Sequence, residues 1–272
     1  MEFLLEIRTE EMPASHVLSA LSQLKEKIGQ EASAADIGCS AIQVFGTCRR
    51  LIVTGHFEAR QKNKVERFIG PPKSAAFFAD GSATPAAKGF AKSQGVDVGA
   101  LSVIKTEKGE YLGLERVVEG RKTDEILAEI LPRTIGSLSF PKMMRWGKNK
   151  MRFSRPIKNI LCLSDKEMLS FSLPGICSNN WTNGHKIFSP EKIVVDSFRQ
   201  YRSLLKQNKV IIDPQARRKI ILDTAEKKLT ALDAKLFLDD SLLEKLTYDV
   251  EFPYVFVGAF PEDYLALPIE VL

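Results

Sequence analysis

Apolar positions set the elements of this chain before any chemistry is considered. Phe3-Leu4-Leu5-Glu6-Ile7 reads as a short strand, and residues 9–13 turn it into a helix. Val17, Leu18, Leu21, Leu24 and Ile28 recur at helical spacing, which predicts an amphipathic helix over 14–31. Two apolar runs, 42–45 and 51–57, predict strands of one sheet separated by Thr47-Cys48-Arg49-Arg50. Gly70-Pro71-Pro72 breaks the pattern, and a small-residue helix is expected at 73–79. Thr84-Pro85 then opens a helix that ends at Gly95, with Thr84 as N-cap. Residues 101–106 and 111–118 predict a hairpin across 107–110, where Gly109 supplies a positive φ. Thr123 caps a helix carrying Ile126, Leu127, Ile130 and Leu131, weakened at its end by Pro132.

Further along, 157–163 and 168–173 predict a strand pair around the Ser164-Asp165-Lys166 turn, and 177–185 reads as a polar loop of turn formers. Helices are then expected at 196–207, 214–231 and 240–249, with short strands at 209–212 and 254–258. The fold class is therefore α+β: a mixed or antiparallel sheet region with packed helices over 1–190, followed by a helix-rich portion over 191–272. The sequence stops at Leu272 inside an element, so it is expected to be a fragment of a longer subunit.

Composition adds one local feature. From Arg133 to Lys158 there are eight basic side chains, and no Asp or Glu falls between Glu129 and Asp165, in a chain whose net charge is only +5. Lys142, Arg145, Lys148, Lys150, Arg152 and Arg155 alternate there with Phe140, Met143, Met144, Trp146, Met151 and Phe153. Interleaved cations and apolar residues predict a surface element pinned by anchors, with Trp146 half-buried as one of them. Its positive face suits phosphates, since each one neutralised releases counterions. An acidic protein partner, or a merely solubilising rim, would also fit. Arg49 and Arg50 point to opposite faces of a strand, so at most one of them meets a given ligand; salt bridging is the ordinary role for both.

Much chemistry is missing from the pattern. There is no GxxxxGK[ST], GxGxxG or GxSxG, and four dispersed cysteines with three dispersed histidines suggest neither a metal site nor disulfides. The acidic start is not a secretory leader, and no apolar run reaches the roughly 18 residues of a membrane helix, so a reduced, cytoplasmic protein is expected. Only His185, in its polar loop, invites an acid–base role; a structural hydrogen bond is the commoner use of such a residue.

Collinear motifs carry a likeness. The opening LLEIRTEEMP, Thr47-Cys48-Arg49-Arg50-Leu51, Gly70-Pro71 through the Thr84–Ala91 block, Lys108-Gly109-Glu110-Tyr111, FPKMMRWG, Thr182-Asn183-Gly184-His185, Glu251-Phe252-Pro253 and Phe260 through Glu270 follow one another in order. Together they resemble the N-terminal part of the β subunit of bacterial heterotetrameric glycyl-tRNA synthetase. Cys48 stands where that family usually has proline, Lys186 where it has arginine, and Ile187 where it has phenylalanine. The resemblance implies a tRNA-binding and assembly subunit that joins an α subunit in an α2β2 complex and contacts tRNA-Gly. It further implies that ATP and Mg belong to the α subunit, and no cofactor or catalytic residue is expected in this portion. The family's chains continue into an HD-type helical domain and an anticodon-binding domain. Phosphate contacts are expected from Lys142, Arg145, Lys148, Lys150, Arg152 and Arg155, joined by Arg49, Arg50, His185 and Lys186. Two alternatives compete: a hydrolytic aminoacyl-tRNA editing site in a closed pocket at His185, and an α-docking module that never touches RNA.

Overall fold

A computed structural model of the chain describes residues 1–78, 81–107, 109–147, 151–268 and 270–271. Strand β1 (Glu2–Thr9) buries Phe3, Leu5 and Ile7 on one face and Leu4 and Glu6 on the other. A strand buried on both faces belongs inside a sheet that is covered twice. Helix α1 (Ala14–Ala34) follows, burying Val17, Leu21, Leu24 and Ile28 at the predicted spacing. Strands β2 (Cys39–Thr47) and β3 (Arg50–Phe57) return antiparallel, and β3 pairs along β1 from Glu2↔His56 to Arg8↔Arg50.

Residues Arg60–Lys122 form a compact unit of their own, set into a second unit made of Met1–Ala59 and Thr123–Leu272. That partition cuts the chain at 59/60 and 122/123, not at 190/191. The inserted unit contains β4 (Lys64–Pro72), α2 (Lys73–Ala76), α3 (Pro85–Gln94), β5 (Ser102–Thr106) and β6 (Gly109–Val118), its three strands ordered β4-β6-β5 and all antiparallel. Thr84 caps α3 by accepting from Ala87 N at 3.3 Å, and Gly95 ends it at φ 68°, as its sequence predicts. Ala76, Ala87 and Leu112 make its small core. Strand β4 was not foreseen: it is mostly exposed and carries no apolar alternation to announce it.

The larger unit resumes with α4 (Thr123–Gly136), β7 (Ile157–Ser164), β8 (Glu167–Met168), β9 (Ser172–Leu173), β10 (Ile176–Asn179), β11 (Trp181–Asn183), β12 (Lys192–Val194), α5 (Phe198–Gln207), α6 (Pro214–Thr230) and α7 (Asp240–Asp249). Its sheet runs β2-β3-β1-β7-β10-β9, with β8 on β7; only the β7–β10 pair is parallel. Helices α1 and α4 cover one face over Phe3, Leu5, Ile7 and Ile160. On the other face Leu4, Ile52, Leu161 and Leu163 lie beneath Tyr201, Leu205, Val210 and Ile212. The fold is α+β, as expected. Among the described residues no helix is long and apolar enough to cross a membrane.

Four local expectations are corrected. Residues 177–185 are not one loop, since β10 and β11 lie within them; their polar residues sit on short ladders. The strand expected at 168–173 is broken into β8 and β9. Residues 209–212 are not a strand: Lys209 takes φ 60°, and Val210 and Ile212 are buried by packing on the sheet face rather than by pairing. Residues 254–258 form no ladder, and Tyr254 and Phe256 are exposed.

Candidate nucleic-acid interface

The site is built on a buried polar network. Strand β1 places Glu6 on the face opposite Phe3 and Leu5, and β3 places Arg50 opposite Arg8 in register. Arg50 is fully enclosed: Nη1 donates to Glu6 Oε2 at 3.0 Å and Thr182 Oγ1 at 2.9 Å, Nε to Glu251 Oε1 at 2.8 Å, and Nη2 to Gly184 O at 2.9 Å. Thr182 donates to Glu6 Oε1, Tyr201 donates its hydroxyl to Glu6 Oε2, and Thr47 donates to Glu251 Oε1. Burial opposes charge on Arg50, yet Glu251 and Glu6 hold its proton more tightly than in water. Burial likewise pushes the Glu251 carboxyl up, but Arg50, with the hydrogen bonds from Arg50 and Thr47, overcomes it and holds the group below its usual value. Gly184 is required here: a Cβ would lie 2.4 Å from Ser189 O, blocking the approach that brings Gly184 O to Arg50.

Above this floor is a cleft of about 310 Å³, lined by Arg8, Thr9, Glu10, Arg49, Arg50, Lys158, Asn183, Gly184, Lys186, Pro190 and Glu251. Glu10 is shared by Lys158 at 2.9 Å and Lys186 at 3.5 Å, and Arg49 pairs with Glu11 at 2.5 Å. The Lys158 hydrogen bond, aided by Lys186, holds Glu10 below its usual value despite slight burial. Arg8 has no carboxylate within ion-pair distance among the described residues; burial lowers its affinity for its proton and nearby Glu6 opposes that loss.

The basic segment ends beside this cleft, where Pro156 meets Glu10 and Lys158 joins the lining. Met144 and Phe153 exchange backbone hydrogen bonds of 2.9 and 3.1 Å, closing a hairpin-like loop. Phe140 and Phe153 are buried against each other at 4.9 Å, and Met143, Trp146 and Met151 pack half-buried on the same core. Ser154 is tied to His16 of α1 at 2.6 Å. Lys142, Arg145 and Arg152 are exposed and free of salt bridges among the described residues; Arg155 is half-buried and donates to Ser154 O at 3.0 Å. Lys148 and Lys150 lie outside the described residues. The loop ends at Pro156, whose carbonyl accepts from Glu10 N at 3.0 Å on the cleft's rim.

The arginine pair is not divided by strand alternation: β3 begins at Arg50, Arg49 lies in the turn before it, and both line this cleft. Arg50 leaves the set of expected phosphate contacts because its donors are spent on the network. His185 lines none of the described clefts: its Nδ1 accepts from Ile187 N at 3.2 Å and Phe188 N at 3.4 Å, its ring stacks on Phe188, and burial lowers its pKa. That is a turn-holding role. Lys186 is exposed on the rim. The Cys48 thiol is no nucleophile either, because burial, then Glu251, pushes its pKa up to about 12. Arg8, Lys158, Asn183 and Glu251 were not foreseen. The signal available was Glu6 and Arg8 inside an otherwise apolar strand.

A family model described as "Glycyl-tRNA synthetase beta subunit" matches residues 3–272. The chain belongs to that family. Within the glycyl-tRNA synthetase beta family it is 40% identical over 272 residues to the glycine–tRNA ligase beta subunit of Syntrophus aciditrophicus, covering all of this chain and 39% of that protein. The counterpart from Trichlorobacter lovleyi is 42% identical over 274 residues, with 100% and 40% covered. That of Clostridioides difficile is 37% identical over 270 residues, with 99% and 39% covered. The chain thus spans about two-fifths of the length of these glycyl-tRNA synthetase beta relatives.

Proposed function

We propose that this chain is the tRNA-backbone-binding N-terminal portion of a glycine–tRNA ligase β subunit, serving an α subunit that carries ATP, Mg and the glycylation chemistry in the cytoplasm. The observation that carries this reading is the anchored basic loop. Lys142, Arg145 and Arg152 are exposed and, among the described residues, free of ion pairs, on a base fixed by Phe140, Phe153 and Ser154. Cations free of carboxylate partners release counterions when they meet phosphates, which a solvated salt-bridged rim does not do. The family supports the substrate, since its members are named as subunits of a tRNA ligase.

The test is binding of tRNA-Gly and of an unrelated tRNA over a salt series. Replacing Lys142 and Arg152 together by Ala is expected to weaken both complexes about equally, because phosphate contacts carry no direct sequence information. It is also expected to lower the salt slope by up to about 2. A folded double variant with wild-type affinity and slope removes the loop from the RNA face; if it instead loses the α subunit, docking is the loop's role.

A further inference from the structure

Five buried polar side-chain atoms lack a hydrogen-bond partner among the described residues, and four of them belong to residues that line one cleft: Arg8 Nε, Arg49 Nε, Asn183 Oδ1 and Glu251 Oε2. Polar atoms shut away from water are nearly always paired, so this concentration marks a place built for a polar occupant. Two of the four are donors on cations and two are acceptors. The occupant must therefore present an oxyanion and, beside it, a hydrogen-bond donor.

Charge narrows the choice. The cleft's five cations, Arg8, Arg49, Arg50, Lys158 and Lys186, are met by Glu6, Glu10, Glu11 and Glu251, which leaves one positive charge over. A single negative charge completes the set, and among the described residues Arg8 is the cleft cation with no carboxylate within ion-pair distance. A phosphodiester carries one such charge. In RNA, but not in DNA, a 2′-hydroxyl donor stands beside it. The space of about 310 Å³ is at the small end of ligand clefts and holds one nucleotide's backbone rather than a stack of bases. The cleft also adjoins the end of the basic loop, through the Pro156–Glu10 hydrogen bond and the Lys158–Glu10 ion pair.

We propose that this cleft seats one phosphodiester of an RNA strand on Arg8, Arg49 and the Lys158–Lys186 pair, with the neighbouring 2′-hydroxyl on Asn183, and thereby separates RNA from chemically related strands. The proposal rests on the RNA-binding reading above and names a site distinct from the loop's exposed cations. Lys158 and Lys186 share one carboxylate, so either swings to a phosphate without leaving Glu10 bare. The guanidinium edges of Arg8 and Arg49 turn toward the occupant about their last side-chain torsion. Asn183 keeps its amide nitrogen on Pro190 O at 2.7 Å, which points the carbonyl oxygen to the hydroxyl.

The experiment uses the whole chain with an RNA hairpin and its fully 2′-O-methylated version, which keeps the A-form helix and removes the donor. The wild-type chain is expected to bind the methylated strand about three- to tenfold more weakly, the worth of one net hydrogen bond. Arg8→Gln is expected to weaken binding of the unmodified RNA about tenfold, to lower the salt slope by about 1 and to erase the difference between the two strands. Equal binding of both strands by the wild-type chain, measured without any variant, overturns the cleft proposal while RNA binding through the loop stands. Unchanged affinity and slope in a folded Arg8→Gln overturn it as well. No RNA binding at any salt concentration sinks the RNA reading itself, and the cleft proposal with it.

Discussion

Arg50 shows how much one side chain does at the residue scale. Two carboxylates, a threonine hydroxyl and a carbonyl converge on a guanidinium with no exposure to speak of. Truncating one partner of a buried ionic set leaves uncompensated charge, which costs about 3–5 kcal/mol. Arg50→Met is expected to lose that much in urea unfolding; a loss below about 1 kcal/mol would refute this account of the network. Acid acts on the same residues. Arg50 and its hydrogen bonds overcome burial and hold the Glu251 carboxyl below its ordinary value of 4.5, so its stabilisation is present above that value and disappears as pH falls through the lower folded one. Burial lowers His16 and His185 below 6.5, so their contribution is present above 6.5 and is lost as pH falls through their folded values. Melting temperature should therefore decline from about pH 6.5 downward, and again below about pH 4.5; a flat profile between pH 7 and 4 contradicts the assignment. None of this could be read at Arg50 itself. Adjacent arginines look alike in sequence, strand alternation would part them although both line the cleft, and Glu251 lies 201 positions away.

At the scale of elements, the basic loop is a cationic strip held by aromatic feet. Removing a foot should cost more than removing a cation. Phe153 is fully buried between Phe140 and the sheet, so Phe153→Ala is expected to destabilise by about 3–5 kcal/mol, whereas Arg152→Ala, one residue away and exposed, stays within about 0.5 kcal/mol. Denaturant midpoints of the two variants decide it, and equal losses would mean the loop is not anchored as described. The half-buried Trp146 was legible because apolar residues surround it in sequence, of which Met143 and Met151 pack with it on the same core while Met144 is exposed. Strands β10 and β11 were not, because their residues are turn formers and their ladders are only two and three pairs long. Strand β4 was hidden for a different reason: Lys64, Glu66 and Arg67 lie on a mostly exposed strand, where nothing selects for alternation.

At the scale of the whole molecule, the helices themselves were legible from long periodic segments, while the packing of residues 201–212 on the sheet's second face and the separateness of 60–122 were not, since both depend on which elements meet rather than on any one pattern. The chain carries no phosphate-cradling glycine motif, and its cleft is a space of about 310 Å³ lined largely by cations. Glycine-dependent pyrophosphate exchange by the purified chain without an α subunit is therefore expected to be absent; its appearance would relocate the chemistry to this polypeptide.

The Arg50 network also orders events at the ribosome. Its members come from β1, β3, β11, α5 and the stretch after α7, so Arg50 emerges 201 residues before its second carboxylate. At about 5–20 residues per second, that interval is roughly 10–40 s. The inserted unit, complete by residue 122, has all its strands in hand long before then. The larger unit, which begins first, must close last, with its central strand waiting for β7 and its buried cation waiting for Glu251. A chain halted in between that closed early over Arg50 would bury its charge with Glu6 but without Glu251, so the network favours keeping the larger unit open until the end of the chain.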